Sequence, residues 1–385
     1  MNRDSDSQGV ISRVEYPETA PIKKITTTVV NREFRSALAV KGAKTTHARS
    51  SFLIICVTLE DGTQGFGEMS GTKNWSGESE ASADSLIQRD IRPYLIGKRP
   101  GQVLRSASKQ LKEITKNNYF TQAAIDMALW DASGKSVSLP VYELLGGKKR
   151  EKIPIKISIS GDGEQIDSGL LAARESGFDY FKVKVGHGYD RDVSRFERVR
   201  EIVGEDTILG VDANCGWALP EAEKCILALK NLGVAFIEQP VSKHALSEMR
   251  YLRSLGVPIL ADESVYDLED AKSCIAENAS DGISIYVGKS GSLVEALEIG
   301  SLCSLTNKDV VIGSNAEFGI GTAAQIHLAA TLPELGRFPS DIIGQHFYQE
   351  GTLERENLID GRYAYISDEP GLGVIPKKEI MEALS

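Results

Sequence analysis

Apolar and polar positions follow two different rhythms along this chain, and the change between them falls near residue 150. Residues 1–21 are mostly polar and are expected to form a flexible tail. From Ile22 to Ser70 the pattern is strand-like. The apolar run ending at Leu59 meets Asp61-Gly62, a turn dipeptide, and then Gln64-Gly-Phe-Gly-Glu68, which predicts a hairpin. Helical spacing follows over residues 81–95, 103–114 and 121–136, the last with Ala124, Met127 and Ala128 on one face. These segments predict an α+β domain over residues 22–147, closing at Gly146-Gly147.

From Lys152 onward, short apolar runs alternate with helical patterns at intervals of roughly 25–30 residues, the spacing of βα units. Strands are predicted over 155–159, 180–185, 208–213, 235–238, 259–262, 282–287, 309–313 and, more briefly, 338–342. Helices are predicted between them, beginning with 165–176 and ending with 321–330. This predicts an α/β fold, a parallel βα barrel over residues 148–345. Residues 346–385 are too irregular for another unit and are expected to return to the first domain.

Composition narrows the function. The 385-residue chain has a formal net charge of -10 and no long basic stretch, which argues against nucleic acid and anionic membranes as partners. The N-terminus shows no apolar signal region, and the longest apolar run, 52–57, is far too short to span a bilayer. The five cysteines are scattered without a CxxC pair, so a cytoplasmic setting is expected and zinc clusters are not. The five histidines show no ligand spacing. Gly319-Ile-Gly321-Thr-Ala-Ala324 superficially matches a dinucleotide fingerprint, but it falls in the seventh βα unit rather than in a first βαβ.

The candidate chemistry begins with Lys182 and Lys184. Side chains alternate along a strand, so both ammonium groups share one face and Phe181, Val183 and Val185 take the other. Asp212, Glu238 and Asp262 end the next predicted strands, at the C-terminal rim where barrels carry reactive groups. Three carboxylates in a buried mouth repel each other unless a cation or a lysine answers them. Oxygen ligands without cysteine or histidine favour magnesium. Two neighbouring lysines should depress each other's pKa, and a lysine near neutrality can serve as a general base. A base beside Mg2+ implies proton transfer α to a carboxylate, so a small carboxylate is the expected substrate.

At this point the chain resembles the enolase superfamily, muconate-lactonizing (mandelate racemase/muconate cycloisomerase) subgroup. The carriers are Ala123-Ala-Ile-Asp-Met-Ala-Leu-Trp-Asp131, Pro140-Val-Tyr-Glu-Leu-Leu-Gly-Gly147, Lys182-Val-Lys184, Val211-Asp-Ala-Asn214, Ile237-Glu-Gln-Pro240 and Ala261-Asp-Glu-Ser264. The resemblance implies a modified (β/α)7β barrel under an α+β capping domain that the C-terminal segment completes. It also implies Mg2+ held by Asp212, Glu238 and Asp262, with Lys184 as the acid/base group and Lys182 binding the carboxylate. Asn214 and Glu263 take supporting roles, and family members are commonly dimers or octamers, so a homo-oligomer is expected.

The chain departs from that pattern on the sixth barrel strand, Asp281-Gly-Ile-Ser-Ile-Tyr286-Val-Gly-Lys289. Tyr286 stands where the subgroup usually has its second acid/base lysine, and Lys289 matches a loop lysine. An unperturbed tyrosine has a pKa of about 10 and is a poor ground-state base. One-base chemistry by Lys184, cycloisomerisation or syn elimination, is therefore favoured. Racemisation with Tyr286 or Lys289 as second base and a non-catalytic carboxylate-binding role are the alternatives. Glu317 matches a position that often meets substrate or supports the groups that do. Asp341-Ile-Ile343 lacks the second aspartate with which dipeptide epimerases grip an ammonium group. Loops 35–46 and 68–75, the latter with Lys73, Asn74 and Trp75, are expected to close over the mouth.

Overall fold

The hairpin predicted from Asp61-Gly62 is the edge of a three-stranded antiparallel sheet, formed by β1 (Ile22–Glu33), β2 (Arg49–Leu59) and β3 (Gln64–Met69) with β2 in the centre. The computed structural model describes residues 13–38, 40–41, 46–47 and 49–385, with the backbone alone for 40–41, 46–47 and 106–110. Helices α1 (Pro100–Ile114) and α2 (Tyr119–Ser136) follow the sheet. Helix α2 is buried almost all round, because it lies between this capping domain and the barrel. Its approach to β3 depends on glycine. A Cβ at Gly65 or Gly67 would fall inside the contact radius of the Ala128 or Ala124 carbonyl oxygen.

The second rhythm produces a seven-stranded parallel sheet: β4 (Ile157–Ile159), β5 (Phe181–Lys184), β6 (Leu209–Asp212), β7 (Ile237–Glu238), β8 (Ile259–Ala261), β9 (Gly282–Ile285) and β10 (Asp309–Ile312), in that order across the sheet. The helices that cover it are α3 (Glu164–Glu175), α4 (Tyr189–Val203), α5 (Leu219–Asn231), α6 (Leu246–Arg253), α7 (Leu268–Ala276), α8 (Leu293–Leu305) and α9 (Gly319–Thr331). The eighth strand expected over 338–342 is reduced to a single parallel bridge between Ile155 and Ser340. That short stretch still bonds to both sides. Ser340 N–H donates to Pro154 O at 2.9 Å, and Asp341 N–H donates to Ile312 O at 2.7 Å. The barrel is closed by a stub because Pro339 precedes the bridge and the chain turns away after Ile343.

The tail expected over residues 1–21 is corrected in its described part. Glu15 N–H donates to Leu144 O at 2.7 Å, and the Tyr16 ring lies 5.6 Å from that of Trp130, so residues 13–20 pack on the capping domain. Residues 1–12 lie outside the described residues, as do 39, 42–45 and 48 of and beside the expected closing loop 35–46. At the other end, Gln349 N–H donates to Glu33 O, and the final helix Lys378–Leu384 reaches β1, where Thr26 Oγ1 donates to Leu384 O at 2.7 Å. Among the described residues no helix is long and apolar enough to cross a membrane.

Candidate active site

Strand register builds the site. Lys184 of β5, Asp212 of β6 and Glu238 of β7 are direct neighbours in one row across three strands. Lys182 sits one inward-facing row lower, between Ser158 and Gly210. Asp262 follows the last residue of β8, two beyond the partner of Glu238, and so keeps its parity. All five side chains line one cavity of about 90 Å³, together with Asn214, Tyr286 and Asp341.

A chain of ion pairs runs across the floor. Lys182 Nζ lies 2.9 Å from Glu238, 3.1 Å from Asp341 and 3.7 Å from Asp212. Lys184 Nζ donates to Asp212 at 2.6 Å and to Asn214 Oδ1 at 3.1 Å. Asn214 takes a left-handed φ of 44°, which asparagine tolerates, and its Nδ2 donates to Glu263 at 3.1 Å. Trp75 Nε1 points at the same Glu263 oxygen from the capping domain, 3.4 Å away. Glu263 itself lies behind the wall rather than in the cavity.

One expectation changes, and the alternative of Lys289 as a second base loses its geometry. The mutual depression expected of the lysine pair does not hold for Lys182. Desolvation acts to lower its pKa, but Asp341, Glu238 and Asp212 outweigh it and hold Lys182 well above the ordinary value. Lys289 is fully buried and does not line the cavity. Its ammonium is enclosed by the Asp262 carboxylate at 2.5 Å and by the carbonyls of Asp262 and Ser284, both at 2.7 Å, so it braces Asp262 from below. Tyr286 does face the cavity, as strand parity required. Desolvation first, then Asp262, Tyr266 and two glutamates, push its phenol well above 10.

Glu317 also stays out of the cavity and braces the loop after β10, accepting from Ser314 Oγ at 2.5 Å and Asn315 N–H at 3.0 Å. Ser314, Asn315 and Ala316 of that loop line the cavity instead. The sequence reading missed Lys156, a completely buried lysine whose Nζ lies 2.7 Å from Asp341 and donates to Pro339 O at 2.6 Å. The signal was present in Lys156-x-Ser158, which has the same inward parity as Lys182-x-Lys184. Phe34 and Phe347, which form an apolar wall with Ile343, carry no such signal because they come from opposite ends of the chain.

The donor set of Asp212, Glu238 and Asp262 suits a hard divalent cation. In the present side-chain arrangement each of the three is held by a lysine, and among the described residues no three acidic, histidine or cysteine groups converge as a metal-binding set. The charge is nevertheless short of balance. Desolvation pushes Glu238 up to about 7; Lys182 opposes this, while Asp212, Asp341 and Asp262 add to it. Desolvation and the charges of Asp262 and Asp212 push Glu263 up to about 8, and its Oε2 finds no hydrogen-bond partner among the described residues. A cation among these carboxylates fits that deficit, provided that the ammonium groups yield their oxygens to it.

Residues 24–146 match the mandelate racemase / muconate lactonizing enzyme N-terminal domain, and residues 168–380 match the enolase C-terminal domain-like family. A chloromuconate cycloisomerase of Cupriavidus necator is 30% identical over 359 residues, covering 92% of this chain and 96% of that protein. A hydrophobic dipeptide epimerase of Enterococcus faecalis is 32% identical over 291 residues, covering 75% and 81%. The crystal structure of 2-chloromuconate cycloisomerase from Rhodococcus opacus superposes with a TM-score of 0.89 at 28% identity, covering 95% of this chain and 100% of that one.

Proposed function

This chain belongs to the mandelate racemase/muconate lactonizing enzyme family of the enolase superfamily, and from that premise we propose that it is a Mg2+-dependent isomerase or lyase that moves the proton α to the carboxylate of a small acid. The observation that carries this reading is the pairing of unlike groups across the cavity. Strands β5 and β9 stand four steps apart in the sheet, so Lys184 and Tyr286 face each other over the carboxylate row. Lys184 is the proton acceptor and later donor on its face. Tyr286 keeps its proton, because burial and nearby carboxylates disfavour the phenolate, so it offers an O–H and not a second base. That asymmetry favours cycloisomerisation or syn elimination over racemisation, with the phenol donating to a substrate oxygen. Lys182 orients the substrate carboxylate from the floor. A divalent cation held by Asp212, Glu238 and Asp262 would supply stabilisation of the charge that develops on that carboxylate.

The test is hydrogen exchange at carbon. A panel of small hydroxy acids, unsaturated diacids and N-acyl amino acids is incubated with the protein and Mg2+ in D2O and followed by NMR. Deuterium enters the α position of at least one acid with wild type, and Lys184→Ala slows that entry by about 10³-fold. Exchange unchanged by Lys184→Ala sinks the assignment. Equal exchange from both enantiomers of one acid replaces the one-base reading with racemisation.

A further inference from the structure

One wall of the cavity is held in place in part from outside the barrel. Ser314, Asn315 and Ala316 form it, and Ala316 adopts a φ of 57°, a left-handed conformation disfavoured for a residue with a Cβ. Such a loop persists only where its surroundings over-determine it. Beside the bonds that Glu317 makes to Ser314 and Asn315, others reach the loop from the capping domain and the C-terminal segment. Asn315 Nδ2 donates to Ser70 O at 2.6 Å and to Thr72 Oγ1 at 3.0 Å. Tyr348 O–H donates to Ala316 O at 2.6 Å. Directly after the loop, Glu68 of β3 reaches into the start of α9. Its two carboxylate oxygens accept from Phe318 N–H at 2.6 Å and Gly321 N–H at 3.1 Å, satisfying amide groups that a helix start leaves without partners. Glu68 is 1% exposed, and a Cβ at Gly321 would lie 2.8 Å from its Oε1, so the fit leaves no room for adjustment. The Phe318 ring lies against Phe52 of β2 and Tyr348.

A second capping-domain carboxylate does the same for a different helix. Asp126 of α2, 4% exposed, accepts from Leu293 N–H at the start of α8 at 2.8 Å. No residue of α8 lines the cavity. The two carboxylates therefore dock the same pair of domains, but only Glu68 does so next to the wall.

We propose that Glu68 is a positioning residue of the active site, through which the capping domain sets the seventh-strand wall that contacts the distal part of the substrate. The proposal rests on the cavity being the active site, but its first test needs no substrate. Hydrogen exchange of the 314–321 segment is measured in wild type, Glu68→Ala, Glu68→Gln and Asp126→Ala, each checked by circular dichroism. Glu68→Ala speeds exchange of that segment by about tenfold or more, and Glu68→Gln, which keeps one acceptor oxygen, restores part of the protection. Asp126→Ala, which removes the acceptor of Leu293 N–H, loosens the 293 region and leaves 314–321 as in wild type. Unchanged protection of 314–321 in a folded Glu68→Ala protein overturns the proposal, and so does equal loss in Asp126→Ala, which would mean that the loop only follows domain docking. Should Glu68→Ala not fold, Glu68→Gln is judged by the same two comparisons. On the acid that exchanges deuterium, Glu68→Gln raises KM by about tenfold with kcat within about twofold, because the wall touches the substrate away from the reacting carbon. A fall in kcat at constant KM contradicts the assignment to the distal wall.

Discussion

At the scale of single residues, charge pairing decides what each group can do. Lys182, with three carboxylates around it, is a fixed positive charge, whereas Lys184 at the rim has one carboxylate and one amide. The proposed division of two lysines of identical chemistry into an orienting group and a proton carrier rests on that difference. Tyr286→Phe keeps the ring and removes the O–H, so turnover of the exchanging acid falls by about 10²-fold while α-deuterium entry persists. Loss of both together in kinetic assays would place the phenol in the proton-abstraction step instead. Lys156 makes a structural prediction. It neutralises Asp341 from below, so Lys156→Met leaves that carboxylate with Lys182 alone and breaks a fully buried pair. Unfolding in urea then shows a loss of about 3–5 kcal/mol; a loss under 1 kcal/mol contradicts the role given to the pair.

At the scale of elements, strand parity and close backbone approach set the geometry. Tyr286, Lys182 and Lys184 point inward because residues of one parity share a face, and that much is legible from the order of residues alone. The buried face of β3 is different. Gly65 and Gly67 read as part of a hairpin, but their purpose is visible only once α2 lies across them. Gly67→Ala drives a methyl into the Ala124 carbonyl and destabilises the protein by about 3 kcal/mol, seen as a lower denaturation midpoint at unchanged slope. A midpoint within error of wild type means that the helix can shift to accept the methyl. The eighth strand illustrates the limit of pattern reading. Residues 338–342 have strand-like composition, but Pro339 and the turn after Ile343 leave one bridge, and register bonds from Pro154 and Ile312 do the closing.

At the scale of the whole molecule, the capping domain is joined to the barrel by carboxylates buried against helix starts. Desolvation pushes Glu68 up to about 8, with the neighbouring Glu317 adding to it against backbone bonds from Gly321 and Phe318 that lower it, and pushes Asp126 up to about 7. Both values lie above those of the unfolded chain, so the native state holds protons that the unfolded state releases. Their contribution to stability is complete below the unfolded carboxyl range and is lost as pH rises through 7 to 8. In metal-free buffer, the melting temperature of wild type therefore falls between pH 5 and pH 8.5 by a few degrees more than that of Asp126→Asn. Parallel pH profiles for the two proteins would show that the Asp126 carboxyl is already ionised in the folded state.

The sequence by itself determined the two rhythms, the barrel with its capping domain, and the identity of Lys182, Lys184, Asp212, Glu238, Asp262 and Tyr286 as inward-facing groups at strand ends. These follow from local period and parity, which any short segment carries within itself. Only the tertiary structure decided how those groups are paired. Lys182 is held charged by three carboxylates, Lys289 is drawn under Asp262, Lys156 stands beneath Asp341, and Glu68 reaches from another domain to the start of α9. Each of these pairings joins residues far apart in the chain, and the strength of a buried charge depends on which distant partner the fold brings to it and on how much water it excludes.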